Sequence, residues 1–145
     1  MAVPCKVRNF VWRACRNAIP TNLNLVRHCV IEDSTCSFCT QSPEYVLHSL
    51  WSCPSLTQVW EDDPQWAFGR TTRFQSFPQV LLHVLEWGCS GDLFTMLTWN
   101  IWFRRNKVRT SPLGWSLDQL AQQAYQCLQE FRSTQPRKPI AATPA

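Results

Sequence analysis

The sequence predicts a mostly α-helical fold. Apolar residues recur at helical spacing in several separate segments, which is the pattern of amphipathic helices packed on a core. Glycine is scarce, four in 145 residues, which suits poorly an all-β chain that needs tight turns. Hydrophobic content of 45% with only 17% charged residues places the chain among folded domains rather than disordered ones.

Residues 5–18, CKVRNFVWRACRNA, open the chain as an amphipathic helix whose core stripe is Val7, Phe10, Val11, Ala14 and Ala18. Lys6 and Arg13 fall on one flank of that stripe, and Arg8, Trp12 and Arg16 toward its opposite side. Pro20 is expected to end this helix, and Thr21 to cap a second short one, with Leu23, Val26 and either Cys29 or Val30 inward. Cys36 to Cys39 reads as a tight turn. Ser42-Pro43-Glu44 reads as a helix start, with serine as N-cap and proline at the first helical position. Cys53-Pro54 breaks that helix, and SLTQVWED forms another. Residues 61–76 read as a loop and as the seam between two halves.

In the second half, residues 77–87 are helical with Val80, Leu81, Val84 and Leu85 inward. Residues 92–108 are apolar most of the way round, as in a central buried helix. Arg104, Arg105 and Lys107 suit its C-terminal end, where cations favour the helix dipole, and with Arg109 they form a second basic cluster. Ser116 and Gln119 read as a capping box opening a last helix with Leu117, Leu120, Ala121, Ala124, Leu128 and Phe131 on one face. From Ser133 the tail is proline-rich and polar, a linker or disordered end. The expected organisation is therefore a unit over 1–66, a helical connector over 67–132 and a tail over 133–145.

The net charge of +4 is unevenly spread. Residues 1–30 carry Lys6, Arg8, Arg13, Arg16 and Arg27 and no acid; residues 31–68 carry Glu32, Asp33, Glu44, Glu61, Asp62 and Asp63 and no Lys or Arg. The remainder is basic again. Such a balance permits nucleic-acid binding without establishing it. No apolar run reaches the ~18 residues of a membrane span, and the N-terminus has no long apolar stretch of the secretory kind. The eight cysteines therefore point to a reducing, intracellular compartment, nucleus or cytoplasm, where thiols are free or bind metal. Cys5, Cys15, Cys89 and Cys127 fall on or beside apolar helical positions and read as core thiols.

Residues 36–53, CSFCTQSPEYVLHSLWSC, hold the densest constellation, C-x2-C-x8-H-x4-C. Zinc takes four thiolate or imidazole ligands in a tetrahedron, and a set with no acid ligand or open position favours a structural site. The alternatives are buried thiols with a core histidine, or a redox C-x-x-C, although no thioredoxin-like strand pattern surrounds it. Cys29 and His28 lie near enough in sequence to substitute as ligands.

Residues 3–60 combine a K-V-x-x-F-x-W-R-A helix, an I-P-T turn, C-x2-C, E-x3-H-x-L-x-x-C-P and a closing V-W. That combination resembles the zinc-binding domain that follows the reverse transcriptase in plant LINE-type (non-LTR) retrotransposons. The resemblance implies Zn2+ as cofactor, held by Cys36, Cys39, His48 and Cys53. LTWNIWFRRNKV resembles the helix ending in W-x-x-R-N that follows in such elements. The polymerase's acidic metal-binding motif and the RNase H carboxylates are missing from this sequence, so no enzyme is expected.

The fold expected is thus a small helical domain stapled by one structural zinc site, followed by a helical subdomain. The function expected is a zinc-finger-like module contributing to RNA or DNA binding. Lys6, Arg8, Arg13 and Arg16 would meet phosphates, and Trp12 would stack on a base. The alternatives are a scaffold docking the polymerase and RNase H domains of a related element, for which surface Trp66, Phe68, Trp87 or Trp115 would speak, or a functionless retroelement remnant. No membrane partner is expected.

Overall fold

A computed structural model describes residues 1–110 and 117–135, without the side chains of 108–110 and 118. Among the described residues there are six α-helices, α1 (Cys5–Cys15), α2 (Asn22–Arg27), α3 (Thr57–Glu61), α4 (Phe77–Glu86), α5 (Gly91–Thr110) and α6 (Leu120–Thr134), with short 3-10 and π turns between them. Among the described residues the only β pairing is one bridge between Thr35 and Pro43.

Helix α1 buries Val7, Phe10, Val11 and Ala14, as its spacing predicts. It stops before Pro20. Asn17 adopts φ 56°, and the amides of Asn17 and Ala18 donate back to Ala14 and Arg13. This left-handed termination turns the chain away, so Ala18 is exposed rather than in the stripe. Thr21 caps α2 by accepting from the Asn24 amide. The inward residues of α2 are not the expected Leu23, Val26, Cys29 or Val30 but Asn22 and Asn24. Their amides satisfy buried carbonyls, with Asn24 Nδ2 donating to Ile19 and Asn22 Nδ2 to Thr35. Polar burial wins here because each group finds a partner.

Helix α5 is the central element. Phe94 through Thr98, Asn100, Ile101, Trp102 and Arg105 are all buried, and the helix packs on α1, α4, α6 and the π turn. Phe10 of α1 meets Trp102 with ring centroids 6.4 Å apart, and Phe77 of α4 stacks on Phe94 at 6.0 Å. Leu120, Ala124 and Leu128 seat α6 on it. The buried residues form one core cluster running from Val3 to Leu128.

Several expectations are corrected. Residues 61–76 are not simply a loop: Pro64–Arg70 form a 3-10 helix capped by Asp63, and Trp66 is buried against Trp60 and Phe94. Leu85 faces solvent, because α4 buries only Phe77, Val80 and Val84. Cys5 and Cys127 are exposed, and Cys15 and Cys89 half-buried, so none is a fully buried core thiol. Helix α6 runs through Ser133 and Thr134, into the expected tail. Ser116 and Trp115 lie outside the described residues, and Gln119 makes no side-chain cap. No helix among the described residues is long and apolar enough to cross a membrane.

Candidate metal centre

Two local structures bring the four predicted ligands together. The first is the Cys36–Cys39 turn, pinned by the Cys36 amide donating to Ser42 O and the Thr40 amide donating to Cys36 O. The second is not the expected helix from Pro43. Pro43 pairs in the bridge with Thr35, helical structure starts at 46, and His48–Ser52 form a π turn. Its closing bond runs from the Cys53 amide to His48 O. Five residues span about 1.4 turns of an α-helix and would point His48 and Cys53 apart. The wider i→i+5 turn brings them to one side.

The ligand atoms of Cys36, Cys39, His48 and Cys53 all lie within 4.8 Å of one another. Cys36 Sγ and Cys53 Sγ are 3.9 Å apart, and Cys39 Sγ is 3.3 Å from His48 Nε2. A tetrahedron with Zn–S of about 2.3 Å and Zn–N of about 2.0 Å has edges of about 3.8 Å between sulfurs and about 3.5 Å between sulfur and nitrogen. The residues therefore fit zinc in both chemistry and spacing. His48 Nδ1 is 3.1 Å from Ser42 Oγ. With Nε2 facing the sulfurs, Nδ1 carries the ring proton and donates it to that hydroxyl, which fixes ring and tautomer. His28 and Cys29 are exposed and outside the cluster.

The surroundings favour thiolates. Burial pushes the Cys53 thiol up, but His48, the Ser55 hydroxyl and amide, and Arg105 outweigh it and hold the group at about 5. Burial also opposes ionisation of Cys39, where the amides of Gln41 and Ser42 together with His48 prevail and lower it. At Cys36 burial wins over Arg105 and the Cys39 and Phe38 amides, and the thiol is raised. For His48, burial favours the neutral ring, and the Cys53 and Cys39 sulfurs overcome it and raise its affinity for a proton. A cation at the centre of the four takes over the role of that proton.

Behind the ligands lies an ion pair that sequence reasoning missed. Arg105 is 1% exposed and Glu44 0%. Arg105 Nη1 donates to Glu44 Oε2 at 2.9 Å and to Cys36 Sγ at 3.4 Å. Glu44 Oε1 accepts from the Asn22 amide, which ties α2 to the same network. Burial opposes the charge on Arg105, but the Cys36 and Cys53 sulfurs outweigh it and raise its pKa. Arg105 is thus not part of a solvent-facing basic cluster. Its position was legible in one respect: it continues the buried stripe Leu97, Ile101 at four-residue steps.

Thr40, just after the second thiol, holds φ 58°. A β-branched residue is strained there, and glycine is not. Thr40→Gly is expected to stabilise the zinc-loaded protein by about 0.5–1 kcal/mol after glycine's own entropy cost, read by denaturant unfolding. An unchanged or lower midpoint would contradict that strain.

The residues expected to meet nucleic acid lie elsewhere, on α1. Lys6, Arg8, Trp12, Arg13 and Arg16 are all exposed. Lys6 Nζ sits 4.7 Å from the Trp99 ring centroid, and the Arg16 guanidinium 4.7 Å from that of Trp12.

Residues 1–60 match the family described as zinc-binding in reverse transcriptase. No curated protein and no solved structure matches the chain significantly. All four cluster residues fall inside the family match; Arg105 falls outside it. Residues 1–60 are thus similar to a zinc-binding module of retrotransposon-type proteins, not to a polymerase or nuclease domain.

Proposed function

We propose that the chain is a non-catalytic zinc-binding module of a plant LINE-type retroelement protein that helps hold RNA or DNA through the outer face of α1. Residues 1–66 would form the zinc unit, and 67–132 the connector. The observation that carries the reading is Trp12, 60% exposed with the Arg16 guanidinium over its ring. Exposure of so large a ring has no packing gain, whereas a nucleobase can stack on it between cations. Among the described residues, Lys6, Arg8, Arg13 and Arg16 form no ion pair, which leaves them available to phosphates.

The test is fluorescence anisotropy of zinc-loaded protein with single-stranded RNA and DNA across a salt series. Affinity should fall steeply with salt. Replacing Arg8, Arg13 and Arg16 together by Ala should flatten the slope by about 2. Trp12→Ala should weaken binding about 5- to 100-fold, as for loss of one stacked base. Binding that ignores salt and all four substitutions would sink the reading.

A second reading has its own support. Leu82, Leu85 and Trp87 of the α4 region are 55%, 51% and 73% exposed. An apolar strip of that kind suits a scaffold that docks polymerase or RNase H domains of a related element. Trp66, by contrast, is buried and Phe68 half-buried, so neither contributes to such a surface. Either reading places the chain in the nucleus or cytoplasm.

A further inference from the structure

We propose that Arg105 is a positioning residue of the zinc site: an outer hydrogen-bond donor through which α5, from beyond the matched residues, holds the Cys36 sulfur and sets the affinity of the centre. The inference rests on the zinc reading above.

The geometry of the guanidinium argues for it. A buried arginine that served only to neutralise a buried glutamate would be expected to face it as a fork, with two parallel N–H···O bonds. Arg105 does not. A single nitrogen, Nη1, serves both Glu44 Oε2 and Cys36 Sγ, while Nε and Nη2 are buried without hydrogen-bond partners. Nη1 carries two protons, one for each acceptor. The side chain forgoes the second bond to Glu44 and puts its charge against sulfur.

The rest of the side chain fixes that choice. The Arg105 guanidinium lies 4.4 Å from the ring centroid of Phe38, a residue inside the Cys36–Cys39 turn. The turn therefore carries both a sulfur acceptor and an aromatic face for the same cation. Three thiolates and a neutral imidazole around a divalent ion leave one net negative charge. Among the described residues Arg105 is the fully buried Lys or Arg, and it contacts one of those sulfurs. A hydrogen bond to a ligating thiolate draws electron density from sulfur and fixes the ligand's direction.

The test uses the full chain, with zinc affinity read by competition against a chromophoric chelator and sulfur electronics read from the charge-transfer bands of the cobalt(II)-loaded protein. Arg105→Gln is expected to weaken zinc binding about 10- to 100-fold and to shift those bands at full loading. Arg105→Lys keeps the charge with a narrower reach, and should give a smaller change of the same sign in both. Glu44→Gln breaks the ion pair but leaves the Cys36 contact, so it should lower thermal stability while leaving the bands in place.

Wild-type affinity and bands in both Arg105 variants would overturn the proposal. So would a Glu44→Gln variant that reproduced both changes, since Arg105 would then act only as a structural plug. If Arg105→Gln does not fold, Arg105→Lys decides alone, and unshifted bands there would overturn it. A wild-type chain that takes up neither zinc nor cobalt would instead bring down the zinc reading itself.

Discussion

Stripping zinc with a strong chelator will collapse most of the helical circular-dichroism signal. A structural zinc site of this kind contributes ~10–16 kcal/mol of apparent binding free energy, against a net domain stability of ~5–15 kcal/mol. Residues 34–45 have no regular secondary structure beyond one bridge and a few turn bonds, so the four ligands and the Glu44–Arg105 pair are what tie this segment to the helices. Without the cation, the contacts of His48 with the Cys39 and Cys53 sulfurs, which raise the pKa of the ring and lower those of the two thiols, are a poor substitute for four metal bonds. The loss will not stay local, because Leu50, Cys53 and Leu56 belong to the same core cluster as Phe94 and Leu97 of α5. Cys39→Ser will act in the same direction. Acid will release the metal cooperatively, since each thiolate and His48 takes a proton in its place. An undiminished helical signal in verified metal-free protein would contradict this.

The second large effect is expected at Phe94. Its ring is fully buried, with centroids 6.1, 5.5, 5.6 and 6.0 Å from those of Trp51, Trp60, Trp66 and Phe77. Phe94→Ala should destabilise the zinc-loaded protein by ~3–5 kcal/mol, toward the upper end, because rigid rings cannot close over the cavity. Trp51 has little freedom to move inward: it stacks on Phe68 at 5.4 Å, and Gly69 lies so close that a Cβ there would meet the indole at 2.6 Å. Trp51 and Trp60 lie on the zinc side of the 61–76 segment and Phe94 on the other. The substitution should therefore lower both the unfolding midpoint and the chelator concentration that strips zinc. A denaturation curve that moved by less than about 1 kcal/mol would show that the cluster is not a shared core.

The sequence patterns that proved legible are those set by one period or one chemistry. The stripe of α1 is one such pattern, whereas the caps at Thr21 and Asp63 differ from each other in this respect. Thr21 sits directly before an apolar period, which marks it as a cap; Asp63 sits in an acidic stretch that reads as loop, and only the 3-10 turn behind it supplies the Gln65 amide from which it accepts. The four-ligand cluster was legible because its thiol and imidazole spacing left zinc as one of several readings and the resemblance over residues 3–60 pointed to the same four residues, which do meet. The π turn was not, since it differs from an α-turn by a single residue and Ser42-Pro43 imitates a helix start. The burial of Asn22, Asn24, Glu44 and Arg105 was not legible, for a common reason. Each is a polar residue buried against a specific partner, from Ile19 O for Asn24 to Glu44 for Arg105, 5 to 61 positions away, and hydrophobic periodicity carries no signal for such pairs.

We infer that Cys36, Cys39, His48 and Cys53 hold one zinc ion. X-ray absorption at the zinc edge of the purified, stoichiometrically loaded protein tests it most directly. The account predicts one zinc per chain with three sulfurs at about 2.3 Å and one nitrogen at about 2.0 Å. A shell dominated by nitrogen and oxygen, four sulfurs, or a folded chain that binds no zinc would contradict it.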